Sequence, residues 1–189
     1  MYGDNNTVQR NIITTNAGSG IMVVNDAGSA PPHVSNRISQ NTIFNNGKVG
    51  IDLHTGAENP ALGTAPFFTA NDVNDADGGA NTGQNFPVIT SAVWNGANTV
   101  VQGTLNSTAG ATFDIEVFSN VVCNGDTGGT PQADPYGEGQ TYRTTVNVTD
   151  GDSDNNVSFT ANIPADLTSQ FITATASNTA TNDTSEFSQ

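Results

Sequence analysis

Basic side chains are nearly absent from this chain: four Lys and Arg stand against 18 Asp and Glu, for a net charge of −14. Nucleic acid and anionic membrane surfaces both require Lys and Arg to neutralise phosphate, so these two partner classes are excluded. The same charge favours solubility and divalent cations. Cysteine is represented by Cys123 alone, which rules out an intrachain disulfide and leaves the redox compartment unassigned, although the thiol is free to pair between chains. No run approaches the ~18 apolar residues of a membrane-spanning helix. The start, MYGDNN, lacks the basic and apolar regions of a signal peptide, so a targeting segment is absent or has been removed. Charged residues make up only 12% and apolar residues 34%. Polarity therefore rests on Asn, Thr, Ser, Gly and Gln, which suit turns, strands and side-chain ladders, and almost no helix is expected.

What is present divides in two. At 189 residues the chain can form one large or two small domains, each with its own core. The first part contains an internal repeat: residues 9–23, QRNIITTNAGSGIMV, align with 39–53, SQNTIFNNGKVGIDL. Asn11 falls on Asn41, Ile13 on Ile43, Asn16 on Asn46, Gly20 on Gly50 and Ile21 on Ile51. Upstream, Asn6 and Val8 fall on Asn36 and Ile38. Each unit reads as short strands whose inward aliphatics stack on those of the previous coil, the pattern of a parallel β-helix. Asparagines at equivalent turns are expected to form ladders, each carboxamide bonding the next.

Between the units, residues 25–35 carry Pro31 and Pro32, which cannot continue a ladder, and read as a loop. His33 in that loop reads as solvated rather than catalytic. The second unit ends in GIDLHTGAENP, where Asp52 and His54 alternate with aliphatics and share one strand face. On an enzymatic solenoid such a face could present a carboxylate and an imidazole to a polysaccharide. A lyase or hydrolase also needs a second carboxylate, or cations for a uronate, and only Arg10, Arg37 and Lys48 are at hand. A solvated outer face is the simpler expectation.

The third region has about seven strand signals at regular spacing, from FPVITSAVW to TSEFS, the number of a simple immunoglobulin-like sandwich. Phe113, Ile115 and Val117 alternate with Asp114 and Glu116, and Val157, Phe159, Ala161 and Ile163 behave alike. Asn95-Gly96 and the stretch 150–156 read as turns, and Trp94 as core.

Joining the two is NDVNDADGGANTGQNFP, residues 71–87. Asp72, Asn74, Asp75, Asp77 and Asn81 supply oxygens in a loop that Gly78 and Gly79 let fold tightly, which suits calcium; the simpler reading is a loop held by Asx turns. A second acidic stretch, DGDSDNN, spaces Asp150, Asp152 and Asp154 as in an EF-hand. It has Asn155 where the turn glycine belongs and no closing Glu, so it reads as a hairpin turn. Sequons at Asn5, Asn106, Asn147, Asn156 and Asn182 carry little weight in so Asn- and Thr-rich a chain. Cys123 has no neighbouring His and reads as a small buried or loop residue.

Residues 71–189 resemble the C-terminal module of large secreted bacterial right-handed parallel β-helix repeat proteins. The resemblance lies in DADGGANTGQNFPVI, in Gly103 to Asn106 (GTLN), in Phe118 to Cys123, in Gly137 to Gln140 (GEGQ) and in Thr173 to Ser188, which has one extra residue before Asn182. The chain departs from the pattern in a longer polar stretch from Asp126 to Tyr136 and a more acidic turn at 150–156. The resemblance implies fold, secretion and a surface role, and it transfers no catalytic residue. The expected architecture is all-β: short right-handed β-helix coils over 1–66, an Asp/Asn-rich joint over 67–86, and an immunoglobulin-like antiparallel β-sandwich over 87–189. The expected role is a non-enzymatic structural or adhesion module, secreted or on a bacterial surface, stiffened by calcium, with a surface glycan or protein as ligand. The alternative is part of a polysaccharide-acting lyase or hydrolase. Two coils are fewer than the roughly three that solenoids need. The open first coil, with Val8, Ile13 and Ile21 uncovered, is therefore expected to be completed by upstream coils or by another copy in a homo-oligomer or filament.

Overall fold

A computed structural model describes residues 1–24, 32–54, 59, 67–122 and 137–188. The protein is all-β; among the described residues there are twelve strands and one 3-10 turn, Ala80–Gly83. The first six strands are three residues each: β1 (Thr7–Gln9), β2 (Ile12–Thr14), β3 (Ile21–Val23), β4 (Arg37–Ser39), β5 (Thr42–Phe44) and β6 (Ile51–Leu53). They pair in parallel as β1 with β4, β2 with β5 and β3 with β6, putting Thr7 opposite Arg37, Ile13 opposite Ile43 and Ile21 opposite Ile51. That is the offset of the sequence repeat.

Three asparagine ladders lock the register. Asn6, Asn11 and Asn16 each donate Nδ2 to the Oδ1 of Asn36, Asn41 and Asn46, at 2.8, 3.1 and 2.8 Å. The same oxygens accept the backbone N–H of Asn6, Asn11 and Asn16. Corners recur as well: Arg10 and Gln40, and Thr15 and Asn45, all have φ near 55–60°. A β-branched residue such as Thr15 avoids that region on its own, so pairing with the neighbouring unit holds the corner there.

Inside, Val23, Ile38, Ile43, Ile51 and Leu53 are buried, with Val8 and Ile13 partly covered. The expectation that nothing covers Ile21 is corrected. Ile21 is 8% exposed, and Met1 packs on the same cluster. Met1 donates its amine to Met22 O and accepts the Val24 N–H at 2.9 Å.

The remaining strands are longer: β7 (Val88–Trp94), β8 (Thr99–Asn106), β9 (Thr112–Asn120), β10 (Thr141–Thr149), β11 (Asn156–Ile163) and β12 (Phe171–Asn178). They form two antiparallel sheets, ordered β10-β9-β12 and β11-β8-β7. Val101, Leu105, Phe113, Ile115, Val117, Phe159, Ala161 and Ile163 make one core, joined by Ala174 and Ala176. The alternation read along β9 is therefore correct for the Phe113 face. Its other face was read as polar, and it is covered too: Glu116 is buried, and Arg37 of β4 reaches Asp114 at 2.6 Å. Phe118 lies in one cluster with Ile38, Ile43 and Ile51 of the parallel-paired strands, and its ring packs edge-on to Phe187 at 5.2 Å.

Three local expectations change. TSEFS forms no seventh strand; after an isolated bridge between Ser177 and Thr184, the segment follows β12 through Ser185 N–H to Ala176 O and Ser188 N–H to Ala174 O. Its side chains are needed elsewhere, as described below. Trp94 is half-exposed at the end of edge strand β7. Residues 150–155 do not close a hairpin, because β10 and β11 belong to different sheets; Asn95-Gly96, between the paired β7 and β8, does close one.

Candidate functional site

The joint loop brings three carboxylates together. Asp72, Asp75 and Asp77 each place an oxygen within 4.8 Å of the others. Asn74 and Asp75 adopt left-handed conformations that turn the chain sharply. Asp72 accepts the Ala76 N–H on both oxygens, and its own backbone is clamped by Asn85, whose Oδ1 accepts Asp72 N–H while Nδ2 donates to Asp72 O. Asp75 accepts from Asn85 N–H at 2.8 Å and from Ser107 Oγ at 2.6 Å. Asp77 leans over Gly83, where φ is +71° and a Cβ would collide with the carboxylate. Only glycine fits there, for both reasons.

Burial pushes the Asp75 carboxyl up to about 6 despite the Ser107 and Asn85 donors, with the charges of Asp77 and Asp72 adding to the effect. Asp77 is raised too, by burial first and then by Asp72. Such a group of oxygens suits a hard dication such as calcium, which takes six to eight oxygen ligands, so backbone carbonyls and water would have to supply the others. Of the five residues expected at this site, the three aspartates lie together. Asn74 donates its backbone N–H to Asn106 Oδ1 and sits between them in sequence.

Asn81 is elsewhere, and its assignment as a ligand is corrected. It is fully buried, accepts Asn36 N–H at 3.1 Å, and donates to Asn36 O and Thr184 O. Its amide is spent on the end of an asparagine ladder. The Asp150 cluster serves the loops between the sheets. Asp150 accepts N–H groups of Gly110, Ser153 and Asn155, and these donors, Gly110 foremost, hold its carboxyl below the usual range. Asp152 and Asp154 are exposed beside it.

Asn81 is one of six side chains whose oxygens accept backbone N–H groups of residues 35–53. Where the next unit's asparagine would stand, Glu138 Oε1 accepts both Asn46 N–H and Asn46 Nδ2, at 3.0 and 2.7 Å. Glu116 takes Ser39 Oγ on one oxygen and Gln40 N–H on the other, at 2.6 and 2.7 Å. Glu186 takes Leu53 N–H and Thr69 N–H. Asp183 accepts Ser35 N–H, and Thr184 Oγ1 accepts Ile38 N–H. Gly139 bridges Ile43 through two backbone bonds of 2.8 and 2.9 Å. A row of backbone donors facing a protein interior must find acceptors, and a carboxylate offers two oxygens and no donor. Burial raises the carboxyls of Glu116 and Glu138.

The expectation of a solvated face for Asp52 and His54 is overturned. Their exposures are 1% and 2%, and Asp52 accepts Ser19 Oγ at 3.0 Å. His33 is also not simply solvated, since its Nδ1 lies 3.3 Å from Asp4. Cys123, Pro31 and the stretch 126–136 fall outside the described residues. The closing acids went unassigned at the level of sequence, although GEGQ and TSEFS were noticed as motifs. For Glu138 the signal was its place between Gly137 and Gly139, which lets the backbone approach another segment closely. No protein-family model matches the chain, and no curated protein matches it.

Proposed function

We propose that residues 1–66 are coils of a right-handed parallel β-helix, that 67–86 is a joint, and that 87–189 is an immunoglobulin-like sandwich whose task is to terminate the solenoid. On this reading the protein is a structural or adhesive module of a secreted or surface-borne bacterial fibre, related to the C-terminal regions of β-helix repeat proteins. The observation that carries it is the substitution of Glu138 for an asparagine rung at Asn46. A domain that supplies five side chains to the backbone donors of a coil is built to stop a ladder from growing. Calcium at Asp72, Asp75 and Asp77 would stiffen the joint by neutralising repelling carboxylates, of which Asp75 is tied to the sandwich by Ser107.

The competing reading, a polysaccharide lyase or hydrolase, asks Asp52 and His54 to meet substrate, and their burial speaks against it. A screen of acidic and neutral polysaccharides for new reducing or unsaturated ends tests both. Turnover lost in Asp52→Asn would overturn the structural reading.

A further inference from the structure

β7 leaves one edge of its sheet open. It ends the order β11-β8-β7, and its Val88 and Val93 are 51% and 60% exposed. Asn95 N–H bonds Asn98 O at the turn into β8. From that pair the bonds of an antiparallel ladder alternate, so Val93 and Ser91 aim their main-chain groups at β8 while Trp94 and Ala92 aim theirs outward. The register then slips between Ile89 and Ser91. Thr90 is an extra residue that shares Gln102 with Ser91, and the next outward residue is Ile89, three positions from Ala92 instead of two. Among the described residues the outward main-chain groups of Ile89, Ala92 and Trp94 have no hydrogen-bond partner.

That irregular spacing selects the occupant. An ordinary strand offers outward groups at every second residue and falls out of step across the bulge, which is how a bulge protects an edge. A second copy of β7, running antiparallel about a two-fold axis, carries the same three-residue step at the same place. Ala92 of each copy then exchanges bonds with Ile89 of the other, and both bulges lie at the axis. The side chains follow from this register. Val93 lies beside Val88 of the second copy, so the two exposed valines of each strand cover those of the other. Trp94, half-exposed, reaches Pro87 of the second copy, beside the cleft lined by Phe86, Pro87, Val88 and Ile89. Charge agrees with the match: β7, β8 and β11 contain no ionisable side chain, so copies of a chain of net charge −14 meet along this sheet without acids opposed on its strands.

We infer that β7 pairs antiparallel with β7 of a second copy, joining two three-stranded sheets into one continuous sheet and making a two-fold dimer. Each copy contributes one short strand, at the small end of specific interfaces, so the dimer is weak and forms as concentration rises. The pairing stands apart from the reading of residues 1–54 as coils, because it uses none of β1 to β6.

Trp94 is the only tryptophan, so its emission reports the contact. In a concentration series of the full chain, light scattering should show monomers passing to dimers while tryptophan emission moves to shorter wavelength in step. Exchange of the Ala92 and Trp94 amides should slow on the order of tenfold over the same range, with the Ser91 and Val93 amides unchanged. Ala92→Pro removes an outward N–H and leaves the ladder to β8 its donors. Val93→Glu sets an acid against Val88 of the second copy from a position that is exposed in the monomer. Both variants should stay monomeric at every concentration with the unfolding midpoint of the unmodified monomer, and Val93→Glu decides the matter if Ala92→Pro fails to fold. An unmodified chain that is monomeric throughout would overturn the inference. So would dimers that persist in Val93→Glu, or dimers that Ile13→Asp dissolves while the Ala92 amide stays fast, which would place the contact on the short parallel strands.

Discussion

Glu138 Oε1 accepts from Asn46 the same two bonds, backbone N–H and Nδ2, that Asn46 Oδ1 accepts from Asn16. A glutamate from the loop before β10 thus stands where a further thirty-residue repeat would place an asparagine. The substitution is chemically uneven. Asparagine passes donors to the following rung, whereas a carboxylate passes none, so the ladder ends.

Glu186 tests whether two acceptors are needed. Its oxygens take Leu53 N–H and Thr69 N–H separately, and glutamine would aim its NH2 at one of these donors. Glu186→Gln should therefore destabilise by about 1–3 kcal/mol in urea titrations near pH 7, as an unsatisfied buried donor does. Unchanged stability would mean that the charge-bearing second oxygen does nothing.

The pH profile follows from burial. Asp75 is raised to about 6 and Glu116 and Glu138 are raised, so between the unfolded and folded values the native state holds more protons than the unfolded one. Their contribution is fully present below the unfolded carboxylate range and is lost as pH rises through the folded values. With a chelator present, stability should fall from pH 5 to pH 7. Asp75→Asn should flatten the part of that slope near pH 6. Asp150 acts the other way, giving up its contribution only as pH drops below about 4, because its carboxyl is held below the ordinary value.

Calcium should oppose the neutral-pH loss. A ligand bound only by the native state adds about 2.7 kcal/mol at a hundredfold excess over its Kd. The gain should shrink at pH 5, where Asp75 holds a proton, and vanish in Asp75→Asn with Asp77→Asn. Identical calorimetric transitions with calcium and with a chelator would remove the site.

Phe187 is the apolar counterpart of the acids. It is 2% exposed, packs edge-on to Phe118, and leaves no room for a Cβ on Gly50 or Gly139. Phe187→Ala should cost about 3–5 kcal/mol, as large-to-small core changes do, and should speed amide exchange in β5 and β6 before it affects β8. Loss spread evenly over both sheets would argue against a terminal segment dedicated to the short parallel strands.

Much of the fold was legible because it is periodic. A thirty-residue repeat of Asn, Ile and Gly specifies parallel register wherever the same residue can bond its copy, and Phe113, Ile115 and Val117 specify one face of β9. The clustering of Asp72, Asp75 and Asp77 was legible for a local reason: they are close in sequence, so a tight loop gathers them. Asn81 was not, since a carboxamide serves equally in a loop and in a ladder, and only its position beneath Asn36 separates the two.

The sequence alone determined the all-β composition, the register of the parallel pairs, the asparagine ladders and the local acidic loop, each a property of residues near one another or related by a fixed period. Tertiary structure decided the fate of Glu116, Glu138, Asp183 and Glu186, and the burial of Asp52 and His54. Those acids sit 76 to 148 positions from the backbone groups they satisfy. No period relates them to their partners. A donor row left open along β4, β5 and β6 exists only once those strands pair with β1, β2 and β3, and the acids that answer it acquire their role when the sheet of β10, β9 and β12 closes over it.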